Sequence, residues 1–263
     1  MNALQRTLAA VAIACAGATP AWAGNITPYY IFDGDSQTGY EILNGNLVNS
    51  FGTFSIGYAP AITNSIWLDD RDNRGARQFT LAGVATGSTS PGGPLISQLL
   101  DGTTDGAGTN YAATCCATQN VVTSANADWS NQATLFNIGV EAAGVAYDTV
   151  TGTLFISTLR SGGVINEYSL AGALLNSYNV GLDIAGLAYE RATNTLWGYQ
   201  AFPGGGSLNL YQFSTGGAIL EHDVVAGSFS NPLGGEMAVP EPATAALLGL
   251  GLAGLAAARR RKS

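Results

Sequence analysis

The feature that most limits the fold of this chain is an internal repeat in its middle. Residues 144–147 (Gly-Val-Ala-Tyr) recur 42 positions later as 186–189 (Gly-Leu-Ala-Tyr), and each copy is followed by Thr-x-Thr-Leu-aromatic, at 151–155 and 193–197. Alternating apolar and polar positions, with many β-branched and aromatic residues, predict strands throughout this region. Four short strands in every 40–45 residues are typical of one blade of a β-propeller.

The repeat predicts an all-β propeller of about five four-stranded blades over residues 24–238. Residues 234–238 form an inner strand with no partner strands after it, so 29–32 and 40–51 are expected to complete a composite closing blade. Such closure removes exposed sheet edges. Because the segment 84–142 matches the repeat poorly, a six-bladed ring or a sandwich of the same strands stays open. The inner strands are predicted to begin near five residues: Ser55, Thr103, Ala143, Ala185 and Gly234.

The blades resemble those of NHL-type propellers. The resemblance is carried by the Gly-[Val/Leu]-Ala-Tyr segments and by the Tyr-Ser-Leu-x-Gly pattern at 168–172. It implies an architecture and no particular activity, since propellers serve many unrelated functions.

The N-terminal residues 1–23 read as a secretory signal peptide. Arg6 gives a positive start, residues 8–18 form an apolar run, and Ala21 and Ala23 flank a cleavage site before Gly24. This order of parts is that of an export signal with a short leader helix. Residues 12–15 only faintly resemble a lipoprotein cleavage box, because Ala12 stands where Leu is usual.

The C-terminal residues 239–263 have three parts in a fixed order. Pro240, Glu241 and Pro242 precede an uncharged segment, 243–258, and the chain then closes with a basic cluster formed by Arg259, Arg260, Arg261 and Lys262. Sixteen helical residues cover about 24 Å, against a hydrocarbon core of about 30 Å, so the predicted transmembrane helix is a weak anchor. The basic cluster is expected to stay cytoplasmic, which places the propeller outside.

This tail resembles the PEP-CTERM sorting signal of Gram-negative bacteria. The resemblance implies processing by an exosortase after transient anchoring in the inner membrane. It also implies delivery to the cell surface, the outer envelope or an extracellular polysaccharide matrix. A plain C-terminal membrane anchor is the alternative.

The charge distribution excludes a nucleic-acid partner. Seventeen of the eighteen acidic residues, but only five of the ten basic ones and no lysine, lie between 24 and 239. Nucleic-acid affinity depends mainly on the neutralisation of phosphates by Lys and Arg.

Few residues suggest chemistry. After removal of the leader only Cys115 and Cys116 remain, as unpaired thiols or as a vicinal disulfide, and no metal site is expected from them. The single histidine, His222, lacks partners for a catalytic triad or a zinc site and is expected to be solvated. Asp33–Gln37 and Asp69–Asn73 are acidic loops with imperfect calcium spacing, so ordinary turns are favoured over calcium binding, and no cofactor is expected.

Two functions remain open for the propeller. The favoured hypothesis is a non-enzymatic scaffold or binding module of the envelope. Its aromatic rings are candidates for contact with polysaccharide, although positions in the blade core are favoured for them: Trp67, Trp129, Trp197 and Tyr199. The alternative is a propeller hydrolase or lyase, calcium-dependent in one version. Its candidate acids would converge on a central channel: Asp105, Asp148, Glu190 and Glu236.

Overall fold

A computed structural model describes residues 25–54, 57–72, 74–92, 98–116 and 120–239. The predicted leader helix and transmembrane helix lie outside these residues. The described chain forms twenty strands, which pair into five antiparallel four-stranded sheets. The prediction of an all-β propeller with five blades is therefore confirmed, and the six-bladed ring and the sandwich are not the fold.

Four blades follow each other along the chain, and within each the strands run in order from the axis outward. Blade 1 consists of β4 (Gly57–Ile62), β5 (Ile66–Asp70), β6 (Gly75–Phe79) and β7 (Ala85–Pro91). Blade 2 consists of β8 (Gln98–Thr104), β9 (Thr109–Cys115), β10 (Val121–Asn126) and β11 (Ala133–Asn137). Blade 3 consists of β12 (Ala142–Asp148), β13 (Thr153–Thr158), β14 (Val164–Ser169) and β15 (Leu174–Asn179). Blade 4 consists of β16 (Ile184–Glu190), β17 (Thr195–Gln200), β18 (Leu208–Ser214) and β19 (Ile219–Val225).

The closing blade joins the two ends of the propeller, as the sequence predicts. Its inner strand is β20 (Pro232–Met237), and its outer strands are β1 (Tyr29–Asp33), β2 (Thr38–Leu43) and β3 (Asn46–Gly52). The pairing of β1 with β20 brings Tyr30 opposite Glu236. Ring closure thus depends on hydrogen bonds between residues about 200 positions apart in the chain.

Four of the five predicted inner-strand starts lie within two residues of the observed ones, and the start near Thr103 is wrong. Thr103 lies near the end of β8, which begins at Gln98. The segment around Asp101 and Gly102 has the composition of a turn, but both residues are fully buried on this inner strand. Tertiary packing overrides the local preference.

The centre of the ring is closely packed. Inner strands on opposite sides of the axis contact each other, β8 with both β16 and β20. A Cβ atom on Gly234 would overlap the carbonyl group of Tyr58 in the neighbouring blade. The hydroxyl group of Tyr199 donates to the carbonyl of Gly234 over 3.4 Å, and that of Tyr29 donates to the carbonyl of Gly186. Glycine is needed at 234 because backbone meets backbone there.

We predict that Gly234→Ala lowers the free energy of unfolding by about 3 kcal/mol or more, because the new methyl group forces the inner strands apart. The measurement is urea denaturation of the propeller followed by tryptophan fluorescence. Gly52→Ala is the matched control, since a Cβ there meets nothing within 4 Å. Equal stability of the two variants would contradict the close packing at the axis.

Candidate functional site

Both ends of the described chain lie on one face of the ring. Inner and third strands run in the same direction, so the hairpins that follow them lie on this face, together with Asn25 and Val239. We call it the exit face. The opposite face, which we call the far face, carries the turns between second and third strands and the connections between blades.

The chain stays fixed to the propeller up to the residue before Pro240. The backbone N–H of Val239 donates to the carbonyl of Ile62 at the end of β4 over 2.9 Å, and Val239 is only 8% exposed. Ala238 packs against the cluster between blade 1 and the closing blade. The C-terminal segment therefore departs from a rigid point on the exit face.

The N-terminal segment is fixed to the same face. One carboxylate oxygen of Glu190, Oε1, accepts hydrogen bonds from the backbone N–H groups of Ile26 (3.0 Å) and Thr27 (2.8 Å). The buried side chain of Asn25 donates to the carbonyls of Thr27 and Ile42, each over 2.7 Å. A cavity of about 360 Å³ lies between the two ends, and its lining is Thr27, Thr149, Tyr189, Arg191, Ala192, Ala238 and Val239.

Three of the four acids proposed for a central channel instead organise structure at the exit face. Asp105 accepts the N–H groups of Ala107 and Thr109 at 2.7 and 2.9 Å, within its own hairpin. Asp148 holds the next hairpin in the same way, through the N–H groups of Val150 and Thr151. Each carboxylate has the role of a turn-forming Asp.

Glu190, the third of these acids, anchors more than a turn. Besides the N-terminal segment, it accepts hydrogen bonds from the Thr193 hydroxyl group (2.7 Å) and from Nε1 of Trp197 (3.0 Å). Its two oxygen atoms are thus used by four donors. Across residues 25–239, apart from the gaps in the described ranges, no group of three or more His, Cys, Asp or Glu side chains is placed to hold a metal ion.

Asp101 joins three inner strands, a role that the sequence does not predict. Its side chain is fully buried on β8; Oδ2 accepts the N–H of Val145 on β12, and Oδ1 accepts the N–H of Gly235 on β20, each over 2.8 Å. Asp followed by Gly is a typical turn signal, so the sequence pattern concealed this role. Only the closed ring brings Gly235 to Asp101.

Glu236, the fourth proposed acid, lies deep in the closing blade. Burial raises its pKa to about 8. Oε1 accepts the N–H of Met237 over 2.8 Å, and among the described residues Oε2 has no hydrogen-bond partner. Because this pKa lies above neutrality, Glu236 is mainly protonated at pH 7. Burial also raises the pKa of Asp101, against the lowering effect of its backbone donors.

Three of the four aromatic candidates for ligand contact belong to the core. Trp129 is 1% exposed, and Trp197 and Tyr199 are fully buried. Trp67 differs, because it is only partly buried and lines a cleft of about 580 Å³ between blades 1 and 2 on the exit face.

The histidine and the two cysteines lie apart from the exit-face site. His222 is on the outer strand β19, where its ring stacks on Tyr211 at a centroid distance of 4.5 Å and its Nε2 lies 3.1 Å from Oδ1 of Asn209. Cys115 and Cys116 are joined as a disulfide at the far-face end of β9, with Cys115 fully buried.

The acidic loop at 33–37 forms a turn that also holds the closing blade. One oxygen of Asp33 accepts the N–H groups of Asp35 and Ser36, each over 3.1 Å. Its other oxygen accepts the N–H groups of Ser230 and Asn231 at 2.9 and 3.0 Å, just before β20.

In the acidic loop at 69–73, arginines neutralise Asp72. Asp72 pairs with Arg71 at 3.0 Å and with Arg74 at 2.7 Å. Asp70 accepts the N–H of Asp72 over 2.7 Å, and Asp69 accepts a hydrogen bond from Gln132. The guanidinium groups occupy the position of a cation beside Asp72.

The predicted processing residues lie outside the described residues. They are the cleavage-site residues Ala21, Ala23 and Gly24, the motif Pro240, Glu241 and Pro242, and the cluster Arg259, Arg260, Arg261 and Lys262. Within the described ranges, no helix has the length and apolar character needed to cross a membrane.

A comparison with known families identifies the C-terminal signal. Residues 238–262 match the PEP-CTERM protein-sorting motif. The chain thus carries the sorting signal that its Pro-Glu-Pro segment, apolar stretch and basic end resemble. This motif implies an exported, membrane-anchored precursor of a Gram-negative bacterium that is processed by an exosortase.

Comparisons with solved structures identify the fold alone. The propeller is similar to a chain in the crystal structure of a nidogen/laminin complex, with a TM-score of 0.55 and 13% identity, over 81% of this chain and 98% of that one. It is also similar to a protein of unknown function from Bacteroides caccae, with a TM-score of 0.49 and 14% identity, over 74% and 72% of the two chains. A comparison with curated proteins finds no match.

We predict that Glu236→Gln flattens the dependence of stability on pH. The pKa of Glu236 in the folded protein is about 8, above the ordinary value of 4.5 for this side chain. The contribution of Glu236 to stability is therefore complete below pH 4.5 and is lost as the pH rises towards 8. Over this interval the wild-type unfolding free energy should fall by up to about 1.4 kcal/mol per pH unit from this group. Urea denaturation across pH 4–9 measures the difference between the slopes.

Glu141→Gln is the control for this experiment, because Glu141 is partly exposed and only loosely paired with Arg160, at 4.0 Å. It should leave the slope unchanged. If Glu236→Gln also left the slope unchanged, the buried protonated carboxyl group would be refuted.

We also predict that removal of calcium with a chelator leaves the melting temperature of the propeller unchanged, because backbone N–H groups and arginines already occupy the acidic loops. Scanning calorimetry with EGTA, and then with added calcium, tests this. A fall in the melting temperature that calcium reverses would establish a calcium site.

Proposed function

We propose that this protein is a non-catalytic binding module of the bacterial cell envelope or extracellular matrix. Its propeller is exported, held at the inner membrane by the C-terminal segment, and then released by an exosortase for delivery to the cell surface. The observation that carries this proposal is the match of residues 238–262 to the PEP-CTERM motif, directly after the last strand of a closed propeller.

The attachment of Val239 supports a defined orientation during anchoring. Because Val239 is hydrogen-bonded to Ile62, there is no free linker between the propeller and Pro240. The exit face is then held close to the membrane and the far face points away from it. The Pro-Glu-Pro segment remains next to the membrane, where a membrane-embedded processing enzyme acts.

The arrangement of the acids supports a binding role over catalysis. Asp105 and Asp148 each accept two backbone N–H groups of their own hairpin, and Glu190 uses both oxygens for four donors. Hydrolysis or elimination needs a general acid and base within reach of one substrate. Neither His222 nor the disulfide lies near these carboxylates in the fold.

Localisation and processing test the proposal. The full chain is expressed in a host with an exosortase. We expect the protein that reaches the surface or medium to lack the basic cluster at 259–262. A chain that carries Pro240→Ala and Pro242→Ala should remain full-length in the inner membrane. Cell fractionation and C-terminal peptide mass spectrometry measure both outcomes.

Pro203→Ala is the matched control, because Pro203 lies in an exposed far-face loop and should not affect sorting. An intact basic end on the surface-located protein would contradict exosortase processing. Retention of the wild-type chain in the inner membrane to the same extent as the double-proline variant would show that the tail is a plain anchor.

A further inference from the structure

One of the five gaps between blades is built differently from the others. In every blade, one residue of the second strand and its partner on the third strand face the preceding blade. In four blades both residues are large and mainly apolar: Tyr29 and Ile42, Ile66 and Phe79, Leu154 and Tyr168, Leu196 and Phe213. In blade 2 the pair is Asn110 and Ala125. The gap between blades 1 and 2 therefore lacks this pair. Trp129, from the hairpin between β10 and β11, packs in the gap instead, next to Gly102 of β8, and a cleft remains beside Trp67.

The wall opposite this pair carries a row of three side chains. Ala61, Trp67 and Gln78 are cross-strand partners on β4, β5 and β6, so they point to the same side of the sheet. Blade 4 has the same row, Ala188, Trp197 and Gln212. Trp197 is fully buried by the filled gap beside it, whereas Trp67 stays partly exposed.

The resulting cleft is open, polar at its edge and preorganised. It measures about 580 Å³, within the range of roughly 300–1,000 Å³ that is usual for small-molecule sites. One edge of the cleft is the turn at residues 106–108. Asp105 fixes this turn by accepting the N–H groups of Ala107 and Thr109, and the methyl group of Ala107 is the only side chain of the turn. Trp129 lies in the same gap as the cleft, and its Nε1 donates to the Trp67 carbonyl over 3.5 Å.

We propose that this cleft binds an uncharged pyranose unit of a polysaccharide. A sugar ring has C–H groups that pack on the face of an aromatic ring and hydroxyl groups that bond to amides. Trp67 offers the aromatic face, and Asn64 and Gln78 line the same cleft with amide groups. The third amide in the lining, Asn110, is buried and donates to the carbonyl of Ala127 over 3.0 Å, which fixes the hairpin at the edge of the cleft. The proposal rests on the proposed binding role and names its ligand class.

The charges around the cleft select a neutral glycan. Among the described residues that line it, none is Lys, Arg or His. Asp105 lies directly before the Gly106–Gly108 turn, and the domain is strongly acidic. An anionic glycan would meet repulsion with no counter-charge, since anion recognition relies on Arg and Lys.

The position of the cleft on the exit face connects binding to release. While the C-terminal segment holds Val239 near the membrane, a polymer chain has poor access to Trp67. Removal of the segment opens this face. The soluble propeller, residues 24–239, contains all twenty strands including the closing pair β1 and β20, and is the released form on which binding is measured.

Trp67 also provides the readout. Of the three tryptophans in residues 25–239, Trp129 and Trp197 are buried and only Trp67 can contact a ligand from solvent. We expect cellopentaose, xylopentaose or chitopentaose at millimolar concentration to change the tryptophan emission of the propeller. Oligogalacturonate, the anionic probe, should not. Isothermal titration gives the affinity independently of the fluorescence.

Two variants test the assignment from opposite sides. Trp67→Ala removes the stacking surface and should weaken binding by about tenfold or more. Asn110→Leu introduces the residue type that blade 4 has at this position and should close the cleft, with loss of binding. Because the substitution removes the buried bond from Asn110 to the carbonyl of Ala127, far-UV circular dichroism is used to confirm that the variant is folded. Phe202→Ala, an exposed aromatic residue on the far face, is the matched control and should bind like wild type.

Absence of binding to every neutral probe by a folded propeller would overturn the glycan proposal, while normal surface delivery would leave the proposed sorting intact. Binding that survives both Trp67→Ala and Asn110→Leu would place the ligand elsewhere and would equally refute this cleft. Binding of oligogalacturonate alone would refute the choice of a neutral ligand.

Discussion

The structure depends on the contact of five inner strands around one axis. Asp101 connects three of them through buried hydrogen bonds from the backbone N–H groups of Val145 and Gly235. Gly234 lets the closing strand approach Tyr58. Because the two ends of the propeller meet in the closing blade, the same contacts that fill the axis also hold both ends on one face.

That placement relates the fold to the sorting signal. A propeller has two faces, and the alternation of strand direction sends the end of an inner strand to the exit face. Since the inner strand β20 is the last one, the C-terminal segment leaves from this face, and the bond from Val239 to Ile62 leaves no slack before Pro240. The orientation of the precursor at the membrane follows from the identity of the closing strand.

The repeated packing between blades identifies blade 2 as an exception. Four blade gaps are filled by pairs such as Leu196 and Phe213, and the Thr-Leu-aromatic repeat shows two of these pairs in the sequence. Blade 2 departs from this pattern at Asn110 and Ala125, where the sequence repeat is also weakest. The poor match of this segment therefore coincides with a cleft beside Trp67 and with an accessible aromatic surface.

The sequence by itself predicted an all-β propeller of about five blades, the composite closure and the sorting signal, because hydrophobic period, repeat length and motif order are local properties of the chain. The exact number of blades and the start of β8 were decided by the tertiary structure. The tertiary structure alone decided which polar residues meet. Asp101 looks like part of a turn until the closed ring brings Gly235 to it. The acids Asp105, Asp148 and Glu190 lie near successive inner strands, yet their oxygens are used by turns and by the N-terminal segment. Trp67 and Trp197 occupy equivalent positions, and only the packing of the next blade distinguishes the exposed ring from the buried one.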